Sequence, residues 1–315
     1  MLTEGGVEID MKEEQPILVA VWCLVYNHEP YLRDCLDGFV MQKTNFRFVA
    51  IVHEDCSTDN SAAIIREYEE KYPDIIKPIF ETENQWNKAD GSIDRIMIDA
   101  LMATGAKYVA MCEGDDYWTD PYKLQKQVDF LETHPDYTIC FHRVQCLKQA
   151  TGEMVDEYMV RDIPGESTIE DLSIANYIHT PSVVYRLIHE VMQRFESLGH
   201  CLPGDYVMWM LLADKGKIWK MKEPMAVYRV GSGIWSTSHS YRNELVIIKT
   251  LSKLYTVISN PQAKQHIADS ISLISKEDVK YVDYLEKQLN QIQNSKAYRL
   301  GKALLKPFKW MKRKF

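Results

Sequence analysis

The chain has 315 residues, 46% hydrophobic, 11% aromatic and 26% charged, values that exclude a disordered or low-complexity chain. Its net charge of −8 is unevenly spread: residues 287–315 hold nine Lys/Arg and no acid, leaving 28 basic against 45 acidic residues, a net −17, before them. An acidic body repels a phosphate backbone, so no nucleic-acid partner is expected. The longest apolar run, Ile17 to Tyr26, is about half the length a membrane-spanning helix needs. Residues 1–14 are acidic with no apolar h-region and are expected to be a flexible segment, not a signal peptide. Seven cysteines without a CxxC pair, several in apolar runs, predict reduced thiols in a core and a cytoplasmic protein.

In chain order, Ile17–Tyr26 reads as a strand buried on both faces, and Pro30-Tyr31 opens a helix to about Gln42. Arg47–His53 is a second strand. Ser57 or Asp59 then caps a helix that runs to Lys71, before Pro73. Ile75–Phe80 is a third strand, Ser92–Ala103 a helix, and Lys107–Cys112 a fourth strand ending in Glu-Gly-Asp-Asp. This alternation predicts an α/β fold, a mostly parallel sheet with helices on both faces and ligands outside the carboxyl ends of the strands. Further on, a helix follows Pro121, Thr138–Leu147 and Glu153–Val160 form a hairpin, and Ser182–Arg186 and Ala226–Val230 are short strands around a helix from Asp205 to Lys215. Beyond Tyr241 the pattern is helical.

Three places could carry chemistry. At the end of the second strand, Glu54 and Asp55 could accept hydrogen bonds from a nucleobase or ribose, while Ser57–Asp59 reads equally well as a helix cap and turn. After the fourth strand, Asp115 and Asp116 offer hard oxygen ligands to Mg²⁺ or Mn²⁺, the alternative being an exposed acidic loop. Asp205 at a helix start is, on local evidence, a carboxylate meeting the helix dipole. No phosphate loop, HExxH or GxSxG is present, and most of the nine histidines, which show no ligand spacing, are expected to be surface or satisfied core residues.

The succession VAVWCLVYNHEPYLRDCLDGFVMQ, IVHEDCSTDN and YVAMCEGDDYWTDPYKLQKQVDFLE resembles bacterial family 2 glycosyltransferases of the GT-A fold, of the kind that build capsular or O-antigen polysaccharide. The resemblance implies a GT-A domain over 15–240, with a nucleotide-sugar half at 15–120 and an acceptor-side half at 121–240, a Rossmann-like mixed sheet, and helices over 241–295. It also implies roles. Tyr26 and Asn27 line the nucleotide pocket, Asp55 contacts the base beside Glu54, and Asp115 and Asp116 form the DxD-type motif, Asp116 being the direct metal ligand. Asp205 is the catalytic base, and the loop at 231–239 covers the donor, with His239 assisting the metal. Many relatives have two aspartates where Glu54-Asp55 stands and Glu-Asp where Gly204-Asp205 stands. The QxxRW motif of processive synthases is missing, so addition of one sugar is expected. The implied reaction is a metal-dependent, inverting transfer from a nucleoside-diphosphate sugar, a UDP-sugar by preference, to a glycan on a lipid carrier. A nucleotidyltransferase and a non-catalytic sugar-nucleotide-binding or membrane scaffold are the competing readings.

The tail at 296–315 plots as a cationic amphipathic helix. Leu300, Leu304, Phe308, Met311 and Phe315 share one arc, with Arg299, Lys302, Lys306, Lys309 and Arg313 opposite. Such a helix could lie on an anionic membrane, placing the enzyme peripherally at the inner face of the cytoplasmic membrane, or could pack on protein. Val279, Val282, Leu285, Leu289 and Ile292 repeat at a spacing that suits a homodimer coiled coil or a helix on the body.

Overall fold

The computed structural model describes residues 15–157, 163, 165–231 and 240–294. The N-terminal segment, the end of the predicted hairpin at Val160, His239 with most of its loop, and the cationic tail lie outside the described residues. The chain divides into two compact units, 1–267 and 268–315. In the second, the described residues belong to the end of the last helix.

The first unit is built on one sheet in which β1 (Ile17–Val25), β2 (Arg47–Glu54), β3 (Ile76–Phe80) and β4 (Tyr108–Met111) are parallel, in the order β3-β2-β1-β4. The interior of β1 is buried on both faces, which accounts for its unbroken apolar run. The connecting helices α1 (Leu32–Val40), α2 (Ser61–Lys71) and α3 (Ser92–Ala103) fall close to their predicted bounds. In α1, Leu32, Cys35, Leu36 and Phe39 recur at helical spacing and face the core. Gly38 allows α1 to lie against the backbone of the next strand: a Cβ there would stand 2.9 Å from the Trp118 nitrogen.

That strand, β5 (Tyr117–Trp118), has only two residues and sits inside the acidic motif. After α4 (Lys123–Thr133) come β6 (Tyr137–Lys148), β7 (Glu153–Asp156), β8 (Glu166–Ser167), α5 (Ile169–Leu172), β9 (Val184–Arg186), α6 (His189–Ser197), α7 (Gly204–Ala213) and β10 (Lys217–Val230). The sheet continues β4-β9-β6-β10-β5, so one sheet runs through both halves, and the long ladders β1–β2 and β6–β10 are parallel. β6 and β7 pair antiparallel, as the hairpin required.

Two expectations change here. β10 is a fourteen-residue strand, not a short one at Ala226–Val230. Pro224 and the charges around it break the apolar pattern, and the ladder to β6 shifts register at that point instead of ending. The helix α6, unread in the sequence, buries Val191, Met192 and Phe195. Helices α8 (Ser240–Val257) and α9 (Pro261–Asn294) complete the described chain. Among the described residues no helix is long and apolar enough to cross a membrane. All seven cysteines are free: six are buried, and Cys56 alone is partly exposed.

Candidate functional site

The carboxyl ends of β1 and β2 are tied together by their following loops. Asn27, in the left-handed region at φ 55°, donates its N–H to Ser57 Oγ at 3.0 Å, and its Oδ1 accepts the Thr58 N–H at 2.8 Å. The His28 and Glu29 N–H groups donate to Ser61 Oγ and Asp59 Oδ2, each at 3.0 Å. Residues 57–61 therefore act as a receptor for the loop after β1. The predicted capping holds in part: Asn60 occupies the N-cap position of α2 without a side-chain cap and the Ser57 hydroxyl is committed to Asn27, while Asp59 Oδ1 accepts the N–H of Ser61, the first residue of α2, at 3.0 Å.

Glu54 and Asp55 are buried, at 3% and 2% exposure. The Glu54 carboxylate accepts the Ser57 N–H at 2.7 Å and so shapes the turn. Asp55 donates its N–H to the Val25 carbonyl at 2.9 Å, while Oδ1 and Oδ2 accept the N–H groups of Gln85 and Trp86 at 2.6 and 3.0 Å. Tyr26, next along from Val25, is 37% exposed.

The second half of the site grows from the end of β4. The Cys112 and Gly114 N–H groups donate to Trp22 and Leu24 carbonyls of β1 at 3.2 and 3.0 Å, which seats the acidic turn beside the loop at 26–29. Gly114 is required there, since a Cβ would fall 2.7 Å from His28 Nδ1. Asp116 Oδ1 accepts the Arg229 backbone N–H from β10 at 2.7 Å. The Arg229 guanidinium donates to the Asp115 carbonyl at 2.7 Å and to Asp34 Oδ2 at 2.5 Å, and lies over the rings of Tyr31 and Tyr117.

Burial, and then the charge of Asp115, push the Asp116 carboxyl well above the ordinary carboxylate range. Glu113 is pushed up to about 8, by burial first and then by Asp115, Asp205 and Asp94. Asp94, at the start of α3, is raised to about 6 by burial. Asp205 lies in the first turn of α7 and is raised by burial, against which hydrogen bonds from Tyr206 N–H, Asn176 and Thr180 work. Glu113 thus feels Asp115, Asp205 and Asp94, and Asp116 feels Asp115 and Glu113, so these acids are electrostatic neighbours near the end of β4. A helix-start carboxylate on local evidence, Asp205 thus stands among the acids that follow β4.

Among the described residues no three His, Cys, Asp or Glu side chains form a ready-made cation cage. The donor set nonetheless suits Mg²⁺ or Mn²⁺, hard ions that usually take one or two carboxylates and complete their shells with water and substrate phosphate. Crowded acids of raised proton affinity are what such an ion would relieve.

Sequence reasoning missed Arg229, Glu113, Asp94 and His28. Glu113 was visible within the acidic motif. Arg229 had no signal, because its relation to Asp116 depends on the pairing of β10 with β5. Among the described residues, three histidines are exceptions to the expected majority. His28 Nδ1 and His142 Nε2 are buried without a hydrogen-bond partner, and fully buried His53 has its Nε2 3.3 Å from Glu81 Oε1 without hydrogen-bond alignment.

A family model described as glycosyl transferase family 2 matches residues 21–190. An uncharacterized protein of Mycobacterium tuberculosis is 36% identical over 228 residues, 72% of this chain and 63% of its own length, so the match leaves over a third of that relative uncovered. The putative teichuronic acid biosynthesis glycosyltransferase TuaG of Bacillus subtilis is 31% identical over 68% of this chain and 79% of its own. In architecture the chain is similar to S. aureus TarS residues 1–349 in complex with UDP-GlcNAc, with a TM-score of 0.59, 16% identity and coverage of 82% and 71%. It is also similar to the mannosyltransferase PcManGT of Pyrobaculum calidifontis in complex with GDP-Man and Mn²⁺, with a TM-score of 0.51, 16% identity and coverage of 91% and 83%. The mostly parallel α/β sheet with its helices matches the GT-A fold of structures such as TarS. Running from within β1, through both laced turns and the acidic turn after β4, to the first residues of α6, the match shows that this chain belongs to glycosyl transferase family 2.

Proposed function

We propose that the protein transfers a single sugar from a nucleoside-diphosphate sugar, a UDP-sugar by preference, to a hydroxyl of a lipid-linked glycan, with inversion, in bacterial surface polysaccharide synthesis. The observation that carries this reading is that the charges of Asp115 and Asp205 both act on Glu113, and that of Asp115 on Asp116, at the end of β4. The S. aureus neighbour bound to UDP-GlcNAc and the P. calidifontis neighbour bound to GDP-Man and Mn²⁺ support a nucleotide-sugar donor and a divalent ion.

In this reading Tyr26 and Asn27 border the nucleotide, with Glu54 and Asp55 beneath it. A divalent ion held by Asp116 and Asp115, with His239 as a further ligand, would neutralise the leaving diphosphate. Asp205 takes the proton from the acceptor hydroxyl as its oxygen attacks the anomeric carbon from the face opposite the leaving group, so one displacement inverts the configuration. Its raised proton affinity makes it a stronger base than an exposed aspartate. The cationic tail at 296–315, through Leu300, Leu304, Phe308 and Met311 with Lys302, Lys306 and Lys309, would hold the enzyme on an anionic membrane where a lipid-linked acceptor resides.

The test is titration calorimetry of UDP, dTDP, GDP and CMP, each with and without Mn²⁺, on wild type and Asp116→Ala. One diphosphate should bind in a metal-dependent way, and the substitution should abolish that dependence. A folded wild type that binds none of them with Mn²⁺ present overturns the reading.

A further inference from the structure

One ionisable side chain of the first unit has no part in the mechanism above. Lys123, at the start of α4, is wholly buried, and among the described residues it forms no ion pair. Its Nζ donates to Gln127 Oε1 at 2.9 Å and lies 4.3 Å from the centre of the Trp118 ring. Burial pushes the amine down to about 7. Withdrawing an amine from water without a carboxylate partner is unfavourable, and a methionine would fill the same space without that penalty. What the lysine adds is direction. Gln127 is also wholly buried, and with Oε1 held by the amine its Nε2 turns to the Cys140 and Ser182 carbonyls, at 2.7 and 2.9 Å. Trp118 Nε1 donates to the Pro181 carbonyl at 2.9 Å. Two successive carbonyls of the 3₁₀ turn Thr180–Ser182 are therefore held by side chains of β5 and α4, and the Ser182 hydroxyl closes on the His179 carbonyl at 2.6 Å.

That turn carries two residues to the acids. Thr180 hydrogen-bonds the Asp205 carboxylate with its side chain. The His179 ring lies 4.9 Å from that of Tyr228, whose phenol is raised by burial and then by Asp116, Asp115, Asp205 and Glu113. Trp118 follows Asp115-Asp116-Tyr117 directly, so one buried cluster grips both the acidic turn and the turn beside Asp205.

We propose that Lys123 and Gln127 are positioning residues, a buried relay that fixes the turn at 179–182 and, through Thr180, holds Asp205 in register with the acidic turn. This rests on the reading of Asp205 as the base and goes beyond it. Without the amine, the Gln127 amide is free to turn over and set its oxygen against the Ser182 carbonyl. The turn then loosens with no loss of apolar packing.

The experiment uses three variants of the full chain. Lys123→Met removes the donor at equal length, Gln127→Glu keeps an acceptor for the lysine but loses Nε2, and Thr180→Val cuts the last link. Hydrogen–deuterium exchange without ligand should speed on the order of tenfold over 179–183 in the first two, the scale of one buried hydrogen bond, with β1, β2 and β3 unchanged. Turnover is read as diphosphate release with Mn²⁺ from UDP-glucose, UDP-GlcNAc or GDP-mannose, whichever wild type turns over fastest. Lys123→Met and Thr180→Val should each lower kcat on the order of tenfold at unchanged KM, and the double variant should be no slower than the worse single one. Melting curves identify a variant that fails to fold, and Gln127→Glu carries the test if Lys123→Met does so. Unchanged exchange over 179–183 in the folded variants overturns the relay, as does faster exchange spread evenly over the sheet, the mark of a lysine that only supports the fold. Unchanged kcat, or losses that multiply in the double variant, overturn the link to Asp205. If wild type turns over none of the donors and binds no nucleoside diphosphate, the base reading falls separately, and exchange alone decides the relay.

Discussion

Arg229 shows how much a single residue can organise. Its backbone holds Asp116, its guanidinium spans from the Asp115 carbonyl to Asp34, and two tyrosine rings sandwich its charge. Arg229→Ala should cost about 2–3 kcal/mol, the scale of hydrogen bonds to a charged group, in urea unfolding. Arg229→Lys should lose less in stability yet still loosen the acidic turn, because an ammonium lacks the fork that spans both acceptors. Glu113 gives a pH signature. Its folded proton affinity, at about 8, exceeds the ordinary value of 4.5, so the folded state binds the extra proton. The stability this contributes is complete below about pH 4.5 and is lost as pH rises through about 8. Glu113→Gln should therefore raise the melting temperature of the metal-free protein at pH 8 and leave it nearly unchanged at pH 4.5. For catalysis, Asp205→Asn should reduce turnover by on the order of 10²–10⁴-fold with the fold intact, which a product assay reads directly.

The elements that sequence made legible are those whose signal is local. Continuous apolar runs marked β1, β2 and β4, and helical spacing marked α1, α3 and α4. What stayed hidden depends on partners remote in sequence. β5 exists because Ala226 and Val227 pair with Trp118 and Tyr117, and β10 persists across Pro224 because β6 accommodates the shift. The candidate site divides in the same way: the Asp-Asp pair and Asp205 were visible as residue types at strand and helix ends, whereas the Arg229 and Asp94 contributions required the folded sheet. The close seating of α1 on β5 is testable at this scale. Gly38→Ala would drive a Cβ to 2.9 Å from backbone, which cannot move aside as a side-chain tip can. Overpacking of about 1–3 kcal/mol should appear as a lower denaturant midpoint with an unchanged slope.

Over the whole molecule, charge is partitioned between an acidic body and a basic end, a net −17 before residue 287 and nine cations after it. If the end serves as a membrane attachment, charge reversal at Lys302, Lys306 and Lys309 in the full chain should abolish sedimentation with anionic vesicles. Wild type should lose the same binding in about 0.5 M salt, where the Debye length falls to a few ångströms.

The thiols hold a practical consequence. Six are sealed in the interior, and burial pushes Cys112 and Cys140 up to about 11 and 12, so a soluble maleimide finds almost no thiolate there. Cys56 alone is partly exposed, and it follows Asp55 in the turn between the two laced loops. One equivalent of reagent should therefore mark a single position in the native enzyme. A dye attached there would sit beside the loops that the proposed donor reading assigns to the nucleotide, turning an unmodified sequence into its own fluorescent gauge of occupancy.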